Sequence, residues 1–363
     1  MRILFFIENL RSGGKERRLV ELLKRLSTIE NMKLDLVLTT REIHYKEIHE
    51  LPVTIHYAER KYLKKDPRVF FLFFKLAWQI KPDLIHAWGN MVAIYTVPTK
   101  VLLGIPMINS QITDAPQNSS NGFFNHKFTF PFSDRIVANS EAGLKAYDAP
   151  RKKSLIIYNG FDFKRLSILQ SGEAVRTQFN ITTKYVVGMV ASISVWKDYV
   201  TYVLAAVQVL KQRKDVTFLC VGSGDDSIVR AMIPTEFICN IRFLGKQDDI
   251  ESIMNICDIG VLCTHGEGIS NALLEFASLG KPILASNNGG TPELIEDGKS
   301  GYLLKPYSSD DLSIRVVELL NDSNSRSEMG ARGKDIVLQK FGIDQMTTNF
   351  LQVYRECLKT LAE

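Results

Sequence analysis

The stretch His265-Gly-Glu-Gly-Ile-Ser-Asn-Ala-Leu-Leu-Glu275 decides how the chain is read. Before it stands Ile259-Gly-Val-Leu-Cys263, a short apolar run with the length and small or β-branched content of a buried strand. After it, residues 271–279 have helical spacing, with Ser270 or Asn271 as a natural N-cap. Gly280-Lys-Pro282 stops that helix and residues 282–285 begin another strand. Glu267 therefore falls in the loop before a helix N-terminus, and Glu275 about one turn inside the helix. A helix N-terminus presents unpaired N–H groups and partial positive charge, a ready seat for phosphate. At ~1.5 Å of rise per residue the two carboxylates stand on the order of 10 Å apart. That span suits the two ends of a sugar nucleotide, with the diphosphate over Gly268, Ile269 and Ser270. The bland alternative is an acidic loop residue plus a glutamate that complements the helix dipole.

Working outward, the same strand–turn–helix unit repeats. Residues 3–7 form a strand, followed by Gly13-Gly14 and an amphipathic helix over 15–27, with Arg11 and Lys15 beside the glycines. Such a loop brings backbone N–H groups close to a phosphate or sugar. Strands are expected at 34–38, 53–55, 83–87, 106–110, 135–139 and 155–158. Helices are expected at 69–80, 91–103, 141–147 and near 125–132, with a polar loop at 111–122. The apolar pattern weakens over 161–184, where an inter-domain linker is placed. Alternation restarts at 185–192 and continues through strands at 217–221, 241–244, 259–263 and 282–286, then closing helices at 310–320, 325–339 and 343–361. This is an α/β chain with two Rossmann-like, doubly wound parallel sheets, and a ligand is expected in a central cleft between them.

The chain of 363 residues has room for two domains, and 45% hydrophobic with 23% charged residues is ordinary for a globular protein. A net charge of +5 is mild and does not argue for nucleic acid. Five cysteines without a C-x-x-C pair suit a reducing compartment, so a cytoplasmic location is expected. The first residues are too short an apolar run for a signal peptide, and no run reaches the length of a transmembrane helix. The six histidines make no metal-binding spacing, so no metal is expected. The run from Lys61 to Trp78 mixes basic and aromatic residues. It reads either as an amphipathic helix touching the inner membrane face or as a core helix with a solvated basic approach, the second being preferred.

Taken together the motifs resemble the retaining glycosyltransferases of family 4, which have the GT-B architecture. Glu267 and Glu275 are similar to that family's E-x7-E signature, with Ala277-Ser-Leu-Gly-Lys-Pro282 and Gly289-Gly-Thr-Pro-Glu293 downstream. Ser12-Gly-Gly-Lys-Glu-Arg17 resembles its diglycine loop. Pro82-Asp-Leu-Ile-His-Ala87, Ser133-Asp-Arg-Ile-Val-Ala-Asn-Ser140 and Tyr158-Asn-Gly-Phe-Asp162 match further landmarks in order. The resemblance implies an acceptor-side domain over 1–165 and a donor domain over 166–345. A C-terminal helix over 346–363 is expected to pack back towards the first domain. It implies no cofactor, a nucleoside diphosphate sugar (UDP-linked) as co-substrate, and a glycan or lipid-linked glycan acceptor in surface polysaccharide synthesis. Glu275 would hold the ribose, Glu267 with Gly268, Ile269, Ser270 and Asn271 the sugar and diphosphate, and Lys197 the leaving phosphate. Gly13 and Gly14 would close over the donor, and His86, Lys15 and Gln111 stand on the acceptor side. Reaction would be by front-face attack, the leaving phosphate taking the acceptor proton.

Three positions depart from the family pattern. Ser192 stands where an arginine is usual, removing a bidentate phosphate contact that Arg11 or Lys15 would have to replace. Gln111 and Thr113 stand where relatives carry a histidine, and Trp88 breaks a common H-x-H, leaving His86 as either a site residue or a strand-end core residue. The departures motivate an alternative, a catalytically silent sugar-nucleotide-binding partner. A glycoside hydrolase is disfavoured because its carboxylate pair lies ~5–9.5 Å apart, usually on separate strands or loops. A nicotinamide dehydrogenase is disfavoured because Val221-Gly-Ser-Gly224 is an incomplete fingerprint.

Overall fold

The computed structural model describes residues 1–61, 65–116 and 126–359. The chain divides into two units, Met1–Gly160 with Ile343–Glu363, and Phe161–Gly342. In the first unit, seven strands form one sheet: β1 (Arg2–Ile7), β2 (Lys33–Leu38), β3 (Val53–Tyr57), β4 (Leu84–Trp88), β5 (Met107–Ile112), β6 (Arg135–Ala138) and β7 (Ser154–Ile156). Their order is β3-β2-β1-β4-β5-β6-β7, and every pairing is parallel. Both faces must then be covered, which is why β1 and β4 read as continuous apolar runs rather than alternating ones.

Helices α1 (Gly14–Leu26), α2 (Arg68–Ile80) and α3 (Asn90–Leu103) supply part of that cover. The C-terminal helix Ile343–Lys359 adds a stripe of Ile343, Met346, Phe350, Val353, Tyr354 and Cys357. Its three- and four-residue spacing puts the stripe on one face, and it shares a core with Leu19, Leu22 and Leu23 of α1.

The second unit has six strands: β8 (Tyr185–Val190), β9 (Val216–Val221), β10 (Ile241–Gly245), β11 (Ile259–Leu262), β12 (Ile283–Ser286) and β13 (Gly301–Leu304). They lie in the order β10-β9-β8-β11-β12-β13, again all parallel. Helices α4 (Tyr199–Gln212) and α5 (Asn271–Ser278) follow β8 and β11. Strand β13, four residues that open on Gly301, has no counterpart in the sequence reading.

The expected linker over 161–184 is structured instead. It holds a 3₁₀ segment, Phe163–Ile168, and a helix, Gly172–Gln178, capped by Asp162 and Ser171 side chains. Polar composition there goes with partial exposure, Val175 being the one buried residue of the two segments, and the division between units falls at Gly160/Phe161. Part of the loop expected at 111–122, the start of the short helix expected near 125–132 and the end of the last helix lie outside the described residues.

All five cysteines are free, and four of them are buried. Among the described residues no helix is long and apolar enough to cross a membrane.

Candidate functional site

In an open parallel sheet, strands on either side of the point where the order reverses send their following loops in opposite directions, leaving a crevice at their carboxyl ends. In the second unit that point lies between β8 and β11, which are paired neighbours. The loop after β8 carries Ser192 and Lys197, and the loop after β11 carries Glu267. Two positions 70 residues apart in sequence are thus delivered to one place by topology alone.

The two loops are fastened to each other. Thr264 Oγ1 donates to the Trp196 carbonyl at 3.0 Å and the His265 N–H donates to the same oxygen at 3.1 Å. The Asp198 N–H donates to the Cys263 carbonyl at 3.0 Å. Across this seam the Lys197 ammonium pairs with the Glu267 carboxylate, each side chain largely buried. The loop after β12 closes from the other side: the Gly290 N–H donates to the Glu267 carbonyl at 2.9 Å, and Asn288 Nδ2 to the Thr264 carbonyl at 2.6 Å. Gly289 has φ +54°, and a Cβ there would stand 2.1 Å from the Glu267 carbonyl oxygen, so only glycine permits the approach.

Glu275, on α5, is 8% exposed. A buried carboxylate needs a partner, and Arg165 supplies it: Nη2 donates to Glu275 Oε1 at 2.7 Å and also pairs with Glu251. The guanidinium rests over the Phe161 ring at 5.0 Å. Arg165 went unnoticed in sequence because it sits in the stretch read as linker; the apolar-flanked Phe161 and Phe163 were the available signal.

Gly268, Ile269 and Ser270 are buried, and Asn271 half-buried, at the start of α5. Ser270 is the N-cap, with extended backbone, but its hydroxyl makes no capping bond to the first turn. Ser192 is exposed, with its hydroxyl 3.5 Å from that of Ser194. The glycines of Val221-Gly-Ser-Gly224 serve the loop after β8: added Cβ atoms at Gly222 and Gly224 would stand 2.0 Å from the Ala191 and Ile193 carbonyl oxygens. Their role is close backbone approach, not a dinucleotide turn.

The remaining candidates lie in the first unit. Gly13 is the extended N-cap of α1, bracketed by the Tyr45 hydroxyl, which accepts from its N–H at 3.1 Å and donates to its carbonyl at 3.0 Å; Gly14 opens the helix. The Lys15 ammonium pairs with Glu8 at 2.8 Å and Glu16 at 3.7 Å. Burial would lower its pKa, but the two carboxylates outweigh burial and hold it above the ordinary lysine value. Arg11 pairs with Glu42.

His86 is fully buried, with Nδ1 2.9 Å from the Tyr354 hydroxyl and Nε2 2.7 Å from the Ser110 hydroxyl. Of its two readings, the structure places it in the core. Burial, helped by the nearby Arg18 charge, pushes its pKa well below the usual value. Gln111 is also internal, donating to the His126 carbonyl at 2.9 Å and accepting from Thr129 at 3.1 Å.

Comparison with known proteins meets this geometry in the second unit. Residues 184–322 match the family described as Glycosyl transferases group 1, a segment that spans β8 to the end of Ser309–Asn321 and carries Ser192, Lys197, Glu267 and Glu275. Over that segment the chain is similar to the group 1 glycosyl transferases. An uncharacterized glycosyltransferase of Methanocaldococcus jannaschii is 25% identical to this chain over 95% of each. The N,N'-diacetylbacillosaminyl-diphospho-undecaprenol alpha-1,3-N-acetylgalactosaminyltransferase of Campylobacter jejuni is 26% identical over 66% of this chain and 62% of its own length. With other curated relatives the shared length falls as low as 39%. Among solved structures, Anabaena HepE in complex with UDP-glucose superimposes with a TM-score of 0.84 at 21% identity, covering 98% of this chain and all of that one. The fold is that of the GT-B glycosyltransferases.

Proposed function

We propose that this protein transfers a sugar, with retention and without a metal, from a UDP-linked sugar to a glycan or lipid-linked glycan. The reaction would serve surface polysaccharide synthesis at the cytoplasmic face of a membrane. The observation that carries the reading is the Lys197–Glu267 pair fastened across the β8–β11 switch point, at the open end of α5. Lys197 would turn from Glu267 to the donor diphosphate and stabilise the charge that develops as the leaving group departs. Glu267, freed of that partner, would accept hydrogen bonds from the sugar hydroxyls, and backbone N–H groups at 268–271 would take phosphate oxygens. Glu275, aligned by Arg165, would hold the ribose. The donor C1–O bond breaks, the acceptor oxygen bonds to C1 on the same face, and the acceptor proton passes to the leaving phosphate. The glutamates then bind rather than attack. The UDP assignment draws on the ligand held by the Anabaena structure, and the acceptor class on the printed activity of the Campylobacter relative.

The exposed Ser192, at the position where the resembled family usually has an arginine, favours a second reading: a sugar-nucleotide-binding partner without turnover. Thermal melting against UDP, GDP, dTDP, their common sugar conjugates and NAD tests both. A ligand at 100 times its dissociation constant adds about 2.7 kcal/mol. A shift with a UDP-sugar followed by transfer to a lipid-linked acceptor supports the enzyme. A shift without transfer to any acceptor supports the silent partner. A shift with NAD alone contradicts both.

A further inference from the structure

Helix α2 carries two stripes. Val69, Phe73, Ala77 and Ile80 are buried against the sheet. On the other side, Arg68, Phe71, Lys75 and Trp78 recur at i, i+3, i+7 and i+10, one continuous face. That face is open: Phe71 is 68% and Trp78 61% exposed. Helix α3 packs beside α2 through the edge-on contact of Phe70 with Tyr95. Both helices cross between parallel strands and so run in the same direction. The exposed Val101 and Leu102 of α3 therefore lie at the same end as Trp78 and Lys81.

The charge around this apolar face has one sign. From 61 to 81 the sequence holds six lysines and arginines against one acidic residue, Asp66. Asp66 is buried and held by Arg68. Among the described residues, Lys61, Lys65, Lys75 and Lys81 are exposed and make no ion pair. At the start of α2 a cavity of about 650 Å³ is lined by Arg41, Lys61 and Arg68 over Tyr57 and Phe71, with Glu59 paired to Arg41.

We infer that the α2 face, with the end of α3, docks on an anionic lipid surface. Aromatic side chains enter the headgroup–acyl boundary while lysines on the same face keep their ammonium groups among lipid phosphates. The cavity has room for a lipid headgroup, with Lys61 beside the Arg41–Glu59 and Arg68–Asp66 pairs. A second copy of this chain fits less well, because a two-fold contact through this face would bring two sets of lysines together with no acidic residue on the face to pair them. The buried stripe agrees with the preferred sequence reading of a core helix with a solvated basic approach, and the inference adds a use for the opposite face. It agrees with a lipid-linked acceptor but does not rest on one.

The test is co-sedimentation of the full chain with phosphatidylcholine vesicles, with and without phosphatidylglycerol, at low and high salt. The expected result is binding to the anionic vesicles alone, weakened by salt and reduced at least about tenfold by Phe71→Ser with Trp78→Ser. Lys75→Glu with Lys81→Glu should do the same, with melting temperature and UDP binding unchanged in both variants. Equal binding by wild type and variants overturns the inference, as does no binding to anionic vesicles. A concentration-dependent dimer that Trp78→Ser dissociates overturns it too, by assigning the face to a second copy. UDP binding is read on the same samples, so failure of the donor site is scored separately.

Discussion

The two sheets each reverse their order once, and the two reversal points carry similar parts in different states. Between β1 and β4, Lys15 pairs with Glu8, and Gly89 lies so close that a Cβ would stand 2.8 Å from the Glu8 carboxylate and 3.1 Å from the Lys15 ammonium. Both charged partners belong to the β1 side, and β4 contributes only a gap. Between β8 and β11, Lys197 comes from one side and Glu267 from the other, and a third loop clamps the carboxylate's backbone. The first pair is local and belongs to its own loop. The second exists only because the fold brings two loops together, so exchanging Glu267 for a diphosphate would retain the seam of backbone bonds beneath it. A cation–carboxylate pair at a switch point is informative when it bridges the strands.

The largest effect expected from breaking this comparison is on turnover. Lys197→Ala should lower kcat by on the order of 10²–10³-fold in a transfer assay, the scale for losing one preorganised charge-stabilising donor. Lys15→Ala, removing the local pair, should change kcat far less; equal losses would erase the distinction.

Next in size is Arg165→Ala. It leaves Glu275 and Glu251 without their shared guanidinium and should destabilise the second unit by about 2–3 kcal/mol, at the low end for a buried pair because the groups keep some solvent access. Chemical denaturation would measure it, and a change under about 0.5 kcal/mol would mean that the arginine does not hold Glu275.

Gly289→Ala comes third. A methyl at φ +54° facing the Glu267 carbonyl should cost at least about 1 kcal/mol and weaken UDP binding together with stability. UDP affinity unchanged in a destabilised variant would separate the clamp from the site.

The smallest effect concerns the first unit. The His86 imidazole is held neutral, with its folded pKa below the unfolded value of about 6.5. The unfolded chain then takes the proton first, so this contribution to stability is full above about pH 6.5 and declines as pH falls below it. His86→Gln should flatten the dependence of melting temperature between about pH 7 and pH 5 without changing UDP affinity. A loss of UDP affinity would return His86 to the site.

Alternation of short apolar runs with helical spacing made both sheets legible, since parallel strands buried on two faces leave an unbroken apolar signature. Glu267 and Lys197 were legible as positions because each lies in the loop after a strand, and Glu275 because it lies about one turn inside the helix that follows. What joins them was not. Arg165 acts from a half-exposed 3₁₀ segment whose polar composition resembles a linker. His86 and Gln111 show the converse failure: a polar residue at a strand end reads alike whether it faces a crevice or bonds inward, as His86 does to Tyr354, 268 positions away. The run from Lys61 to Trp78 was ambiguous because composition does not say which side of a helix the sheet covers; Phe71, 68% exposed, lies on the uncovered side.

The central claim is that the bridged switch point of the second unit is a donor-nucleotide site. Calorimetric titration of UDP into the wild-type chain and Glu275→Gln tests it most directly, the change being nearly isosteric and leaving Arg165 a hydrogen-bond acceptor. The account predicts saturable binding by the wild type and at least about tenfold weaker binding by the variant, roughly 1.4 kcal/mol, at an unchanged melting temperature. Equal affinity in the two proteins, or no binding by the wild type, would contradict it.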